Sequence, residues 1–195
     1  MSHPSSAQRK DHRVVLLKCS QYENAQQKLL EGINLLGGLK NFAANGEHIV
    51  LKPNLLLGDK PERGSTTHPE FFRAVASLLK SEGYHLSYGD SPGFGSPHSA
   101  VKASGLLAIA DTLGIELADF VGEQEVLYPD GILLKQFLVA KGIMAADAVI
   151  NLPKFKTHAL TRLTGAVKNL FGCLPGVQKA GFHARLSDET RFSEM

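Results

Sequence analysis

The feature that most constrains this chain is the alternation of two kinds of segment. Short apolar runs rich in Val, Ile and Leu have strand length, and the stretches between them have helical spacing. Residues 13–19 (RVVLLKC), 48–52, 84–88, 115–120, 136–140 and 148–151 read as strands, the first of them buried. Residues 22–42 have helical spacing that breaks at Gly37-Gly38, and Pro69 opens a helix running to Gly83. Further helices are predicted at about 98–113 and 160–171, the latter weakened by Gly165, with a helical turn at 144–147. Residues 121–135 stay open between a loop and an irregular strand. Strands separated by helices require right-handed crossovers, which build a parallel sheet. The expected fold is therefore α/β and Rossmann-like, a mostly parallel sheet with helices on both faces.

With no repeat and no Ser/Gly linker, residues 13–195 are expected to form one domain behind a disordered polar tail at 1–12. The last ten residues begin like a helix capped by Ser187 and stop after about two turns. The domain is thus expected to be incomplete at its C-terminus, leaving an exposed sheet edge or apolar patch.

Composition excludes several function classes. A chain of 195 residues that is 43% apolar and 21% charged is globular. Its apolar runs fall short of the ~18 residues of a membrane span, and the polar first residues lack a secretory signal. Two cysteines, Cys19 and Cys173, are too few for a disulfide framework, so a reducing, cytoplasmic compartment is expected. A net charge of +2 is too small to argue for nucleic acid. The charge is unevenly placed, however. Residues 148–187 hold no acid but carry Lys154, Lys156, Arg162, Lys168, Lys179 and Arg185, with His158 and His183, leaving 15 basic against 19 acidic residues elsewhere. A basic stretch in an acidic body fits a small anionic partner, and also fits a solvated basic face.

Parallel sheets take ligands at the carboxyl ends of their strands, where this chain puts its Gly- and Pro-rich polar loops. Lys52-Pro53-Asn54 ends one strand, so Lys52 and Asn54 are candidate anion ligands, or part of an ordinary strand terminus. Thr67 and His68 precede a helix, where they can bind an anion or simply cap. The loop 89–97 offers Asp90 as a base, Ser91 as a hydroxyl and the amide of Gly93, or it is only a turn. It is neither a complete GxGxxG fingerprint nor a P-loop. In the acid-free run, Lys156 and Lys168 can hold an anion. Lys168, if partly buried, can act as nucleophile or base, and His158 can act in acid/base chemistry. His158 and His183 are candidate metal ligands. Cys173 is a thiolate ligand or, with more weight, an inert buried thiol.

These motifs, LKPNLL at 51–56, TTHPE at 66–70, GDSPG at 89–93 and NLPKFKTHALTRLTGAVKNLFG at 151–172, resemble the family of unknown function DUF362 in type and order, over about residues 13–195. Many members of that family carry a ferredoxin-like module with CxxCxxCxxxCP runs. None occurs here, so no iron–sulfur cluster is ligated by this chain alone. A more distant resemblance reaches the amino-terminal domain of the lactate racemase superfamily. It implies a lysine at the place of Lys168 that holds a nickel-pincer nucleotide and a nickel-binding histidine at the place of His183. Where that family has its GxHR acid/base histidine, this chain has Gly89-Asp90-Ser91-Pro92. The expectation is a site for an organic anion, with a metal or nucleotide-like cofactor as its companion. The rival expectation is a non-catalytic accessory protein that docks a ferredoxin-like module in an iron–sulfur electron-transfer system.

Overall fold

The computed structural model describes residues 13–176 and 178–195; the expected disordered tail at 1–12 lies outside them. Its centre is a four-stranded, all-parallel sheet in the order β3-β2-β1-β6, formed by β1 (His48–Pro53), β2 (His85–Tyr88), β3 (Glu116–Leu117) and β6 (Ala148–Leu152). The expected α/β class with a parallel sheet is what forms. Successive crossovers lay β2 and then β3 on one side of β1, and the chain returns to place β6 on the other. Strand order therefore reverses between β1 and β6, the place where such sheets take ligands.

Period-two alternation along β1 sends Ile49 and Leu51 to one face of the sheet and Val50 to the other. The first face is thickly covered by α2 (Pro69–Ser81), α3 (Pro97–Ala103) and α4 (Leu106–Leu113), with α1 (Ala25–Leu35) contributing Leu29. Phe72, Val75, Ala76 and Leu79 recur on one stripe of α2 because that stripe is buried. The second face is thin. Phe120, Ala140 and Val50 are its fully buried residues, backed by Ile143 of the short α5 (Lys141–Met144). Phe120 lies so close to the strand-end loop that a Cβ on Gly89 would sit 2.5 Å from its ring.

Four expectations are corrected. Residues 13–19 form no strand; they run extended, with Val15 and Leu17 against Gly32 of α1 and Val14 and Leu16 89% and 95% exposed. Their alternation is real, but the inner side chains cover a helix instead of joining a ladder. The helix at 98–113 divides at Ser104-Gly105, because Gly105 takes φ 78°, a left-handed conformation that glycine adopts without strain. Residues 160–171 are not one helix. They contribute β8 (Arg162–Thr164), which pairs antiparallel with β7 (Lys156–His158), then α6 (Ala166–Asn169) and a 3-10 turn at Leu170–Cys173. Thr157, Thr161 and Thr164 favour the extended state, and Gly165 opens the backbone between hairpin and helix. The ambiguous 121–135 stretch holds β4 (Glu123–Leu127), which forms a second hairpin with β5 (Gln136–Ala140) outside the parallel sheet. Two helices complete the chain, α7 (Gln178–Arg185) and α8 (Glu189–Glu194), and Asp188 rather than Ser187 caps the latter. β6 is an edge strand among the described residues, with apolar Phe155, Leu163 and Val167 exposed on the segments that follow it.

The thin second face makes Phe120 the side chain on which that side of the sheet depends. Phe120→Ala is expected to cost about 3–5 kcal/mol in chemical denaturation. Phe94→Ser, at a position 84% exposed, is expected to stay within about 0.5 kcal/mol of the parent.

Candidate functional site

At the end of β1, Lys52 is fully buried, and its Nζ lies 2.7 Å from Oδ1 of Asp90 on the loop after β2. The other carboxylate oxygen accepts the Leu55 amide at 2.9 Å. A buried ammonium is tolerated only when paired, so this ion pair fixes the β2 loop onto the end of β1. Backbone from the 3-10 turn closes over it. A Cβ on Gly172 would meet Asp90 Oδ1 at 2.0 Å and Lys52 Nζ at 2.8 Å. The Ser91 amide in turn donates to the Gly172 carbonyl at 3.1 Å. Only glycine lets the chain approach so closely. Both Asp90 oxygens are thus engaged, and Asp90 stands as a fixed counter-ion rather than a poised base.

The loops at the carboxyl ends of β1 and β2 meet, but many of their polar groups are already used. Thr67 Oγ1 accepts the Asn54 amide at 2.8 Å and donates to the Leu152 carbonyl at 2.6 Å, tying the end of β6 to the loop before α2. Asn54 donates from Nδ2 to Ser65 O at 2.8 Å. His68 is the N-cap of α2, accepting the Glu70 amide at 3.2 Å, and stacks on Tyr22 with ring centroids 3.6 Å apart. Burial holds its imidazole below the usual range, more than nearby Glu70 raises it. The Gly93 amide donates to Leu56 O at 2.7 Å. These four residues brace the crevice.

The acid-free run closes its other side. Asn169, which no sequence signal singled out, donates from Nδ2 to Asn151 Oδ1 at 2.7 Å and reaches the carbonyls of Lys52 and Pro53. It bridges β1 and β6 at their carboxyl ends. Lys179, counted in the basic run but not picked as a ligand, donates to the carbonyl and hydroxyl oxygens of Ser91 at 2.7 and 2.6 Å. Burial, the largest cause, lowers its pKa to about 8, with Lys52 adding to the effect and Asp90 opposing it. Lys156 donates to the Ser65 carbonyl; burial depresses its ammonium, Asp90 opposes this, and Lys168 adds to it. Lys168 is itself lowered by burial and sits 5.6 Å from the Phe171 ring and 5.4 Å from that of Phe192. Burial pushes the Cys173 thiol up, which keeps it protonated and inert.

His158 turns the β7–β8 hairpin. Its Nδ1 accepts the amides of Leu160 and Thr161 at 3.1 and 3.2 Å. That assigns the proton of the neutral ring to Nε2. Burial lowers its pKa first, and Lys168, His183 and Lys156 lower it further. His183 is the complement, with Nδ1 on the Lys179 carbonyl at 2.7 Å, which leaves Nε2 as an acceptor. The two rings lie 6.5 Å apart, and Phe171 and Phe192 pack against His183 at 5.3 and 4.8 Å. His158, Lys168 and His183 are therefore brought to one cluster. Among the described residues no group of three His, Cys, Asp or Glu side chains is placed to hold a metal ion. A cavity of about 640 Å³ opens elsewhere, at the amino ends of β1 and β2 beside His48, His85 and Lys80. Its charged lining is mixed in sign, with Lys80 and Lys141 beside Glu116 and Asp119.

Two outcomes test this geometry. Gly172→Ala is expected to lose at least about 3 kcal/mol, because the buried pair must separate or the turn must lift. Gly181→Ala, in helix α7 with open space around it, is expected to gain about 0.5–1 kcal/mol. For pH, the folded values of His158 and His68 lie below the unfolded 6.5, so the unfolded chain binds more protons as pH falls. Stability is expected to decline from about pH 7 to 5. His158→Gln is expected to flatten that slope in denaturation curves taken across the range.

No helix of the described residues is long and apolar enough to cross a membrane. No solved structure matches the chain. A curated relative, thylakoid-associated protein sll1697 of Synechocystis sp. (strain ATCC 27184 / PCC 6803 / Kazusa), is 40% identical over 185 residues, covering 93% of this chain. The chain spans 57% of that relative's length. These findings do not show the lactate racemase likeness. The family model described as domain of unknown function (DUF362) matches residues 49–195, which takes in the β1 terminus, the Asp90 loop and the whole basic run, and the chain belongs to that family.

Proposed function

We propose that the protein binds a small organic anion in the crevice between the carboxyl ends of β1 and β6. One observation carries this reading: Lys52, Lys156 and Lys179 are half to fully buried within the influence of Asp90, which is already paired with Lys52, and half-buried Lys168 adds its charge to that of Lys156. Lys156 and Lys179 have only carbonyl and hydroxyl oxygens as hydrogen-bond partners among the described residues. Such dipoles do not neutralise a desolvated ammonium; an anion does. Lys156, Lys168 and Lys179 are the anion's cationic ligands, with the His158 N–H as a neutral donor. Lys52, Asp90, Asn54, Thr67 and His68 hold the frame.

The same charges set the expected pH response. A bound anion favours the protonated form of each lysine, so affinity is greatest where all are charged. Because Lys179 titrates near 8, affinity for inorganic phosphate or malonate is expected to fall as pH rises through that value. Lys156→Met and Lys179→Met are each expected to weaken binding about tenfold or more, read by isothermal titration calorimetry at pH 7. Lack of heat with either anion at concentrations up to about 50 mM, far above the ~1 mM dissociation constant of weak binding, removes the proposal. The compartment we propose is the cytoplasm, since both cysteines are free thiols. The relative's name places that protein at the thylakoid, so separating soluble from membrane pools is the deciding observation.

A further inference from the structure

The basic cluster does not end at its charges. Phe171 and Phe192, the rings that flank Lys168, also form one wall of a cleft of about 580 Å³. Phe137, Leu163, Leu170 and Leu174 add most of the apolar lining, Thr161 and Ser193 add hydroxyls, and no acidic side chain lines the cleft. That volume is in the range of small-molecule sites. Leu163, Val167 and Leu170 are 55%, 87% and 46% exposed, an apolar surface facing solvent beside a half-buried cation. Lys168 makes no ion pair among the described residues, and the rings it touches are attracted to its charge without neutralising it. One wall thus calls for negative charge and the remainder for hydrocarbon.

We propose that this cleft takes the aliphatic tail of an organic carboxylate whose head group pairs with Lys168. The proposal rests on the anion-binding reading above and narrows it to a ligand class, the medium-chain monocarboxylates. A small dicarboxylate would use the lysines but leave the apolar walls wet. A protein strand or helix would cover the exposed leucines but has no need of a lysine set between two phenyl rings. The head lies within the influence of His158, whose imidazole already feels the charge of Lys168. The tail displaces water from Leu163, Leu170 and Leu174, and each added methylene contributes its transfer free energy.

The test is calorimetric titration of the intact chain with acetate, butyrate, hexanoate and octanoate, with inorganic phosphate and 1-octanol alongside. The expected result is an affinity that rises about threefold to fourfold per added methylene. Octanoate is expected to bind about tenfold or more better than octanol, a preference that disappears in Lys168→Met. Leu163→Asn, at an exposed position that should leave the fold intact by thermal melting, is expected to reduce the gain with chain length and spare phosphate binding. Phosphate binding with a flat carboxylate series overturns the tail site and leaves the anion reading standing. Equal affinities for octanoate and octanol overturn the role of Lys168. Failure of both phosphate and the carboxylates overturns the two readings together.

Discussion

The ion pair between Lys52 and Asp90 is the interaction on which the rest of this architecture depends. A lysine at the end of a central strand, wholly removed from water, is untenable alone. Its partner comes from the loop after the neighbouring strand, and that carboxylate also takes the Leu55 amide. One side chain thereby sets where three pieces of chain go. Gly172 adds a fourth, since its bare Cα lets the turn lie directly on the pair. Asn169, three residues earlier, then falls against the carboxyl ends of β1 and β6 and ties them. The carboxyl end of the sheet at the strand-order reversal is therefore cross-braced by polar contacts. Its shape is fixed by electrostatics more than by packing.

That bracing explains why the remaining lysines can be half-buried without acids. Lys179 is carried on α7 to the Ser91 carbonyl, and Lys156 is carried on β7 to the Ser65 carbonyl. Each anchors its loop, and each holds its charge partly desolvated, at a cost to stability. Burial lowers the pKa of all three half-buried lysines, which is the sign of that cost. A core selected only for stability would place carboxylates opposite them. Preorganised, under-compensated charge is the arrangement that lets an incoming anion contribute the missing partner.

Much of this was legible in the sequence, and the failures have physical causes. The parallel sheet and the placing of the Lys52 and Asp90 loops at the carboxyl ends of its strands follow from alternation and topology. Lys52 and Asp90 both stand out in the sequence, but a sequence does not show that they neutralise each other, so Lys52 reads as an anion ligand and Asp90 as a base. Thr67, Asn54 and His68 illustrate the reverse: their residue types suit anion binding and equally suit bracing, and the hydrogen bonds decide for bracing. Residues 13–19 have the composition of a buried strand, yet β1 is flanked on both sides by β2 and β6, and α1 supplied the apolar surface instead. Asn169 and Lys179 were passed over because an asparagine in a short helix and a lysine in a basic run carry no spacing signal. The acid-free stretch itself was the one clue to both.

That stretch is also where local rules fail together. Helical spacing at 160–171 gives way to a hairpin turned by the His158 ring, with Arg162 held at φ 60°. Leu163, Val167 and Leu170 face water while Lys156, Lys168 and Lys179 are drawn inward, the inverse of the usual partition. Each departure alone is a small local cost. Gathered into about twenty-five consecutive residues against one crevice, they point one way, because sequences that specify a fold depart from local consistency chiefly at functional sites. The exposed leucines and the buried lysines are then two halves of one requirement. A ligand with a charged end and an apolar body would satisfy both at once, and a ligand lacking either would leave one half of the departures unexplained.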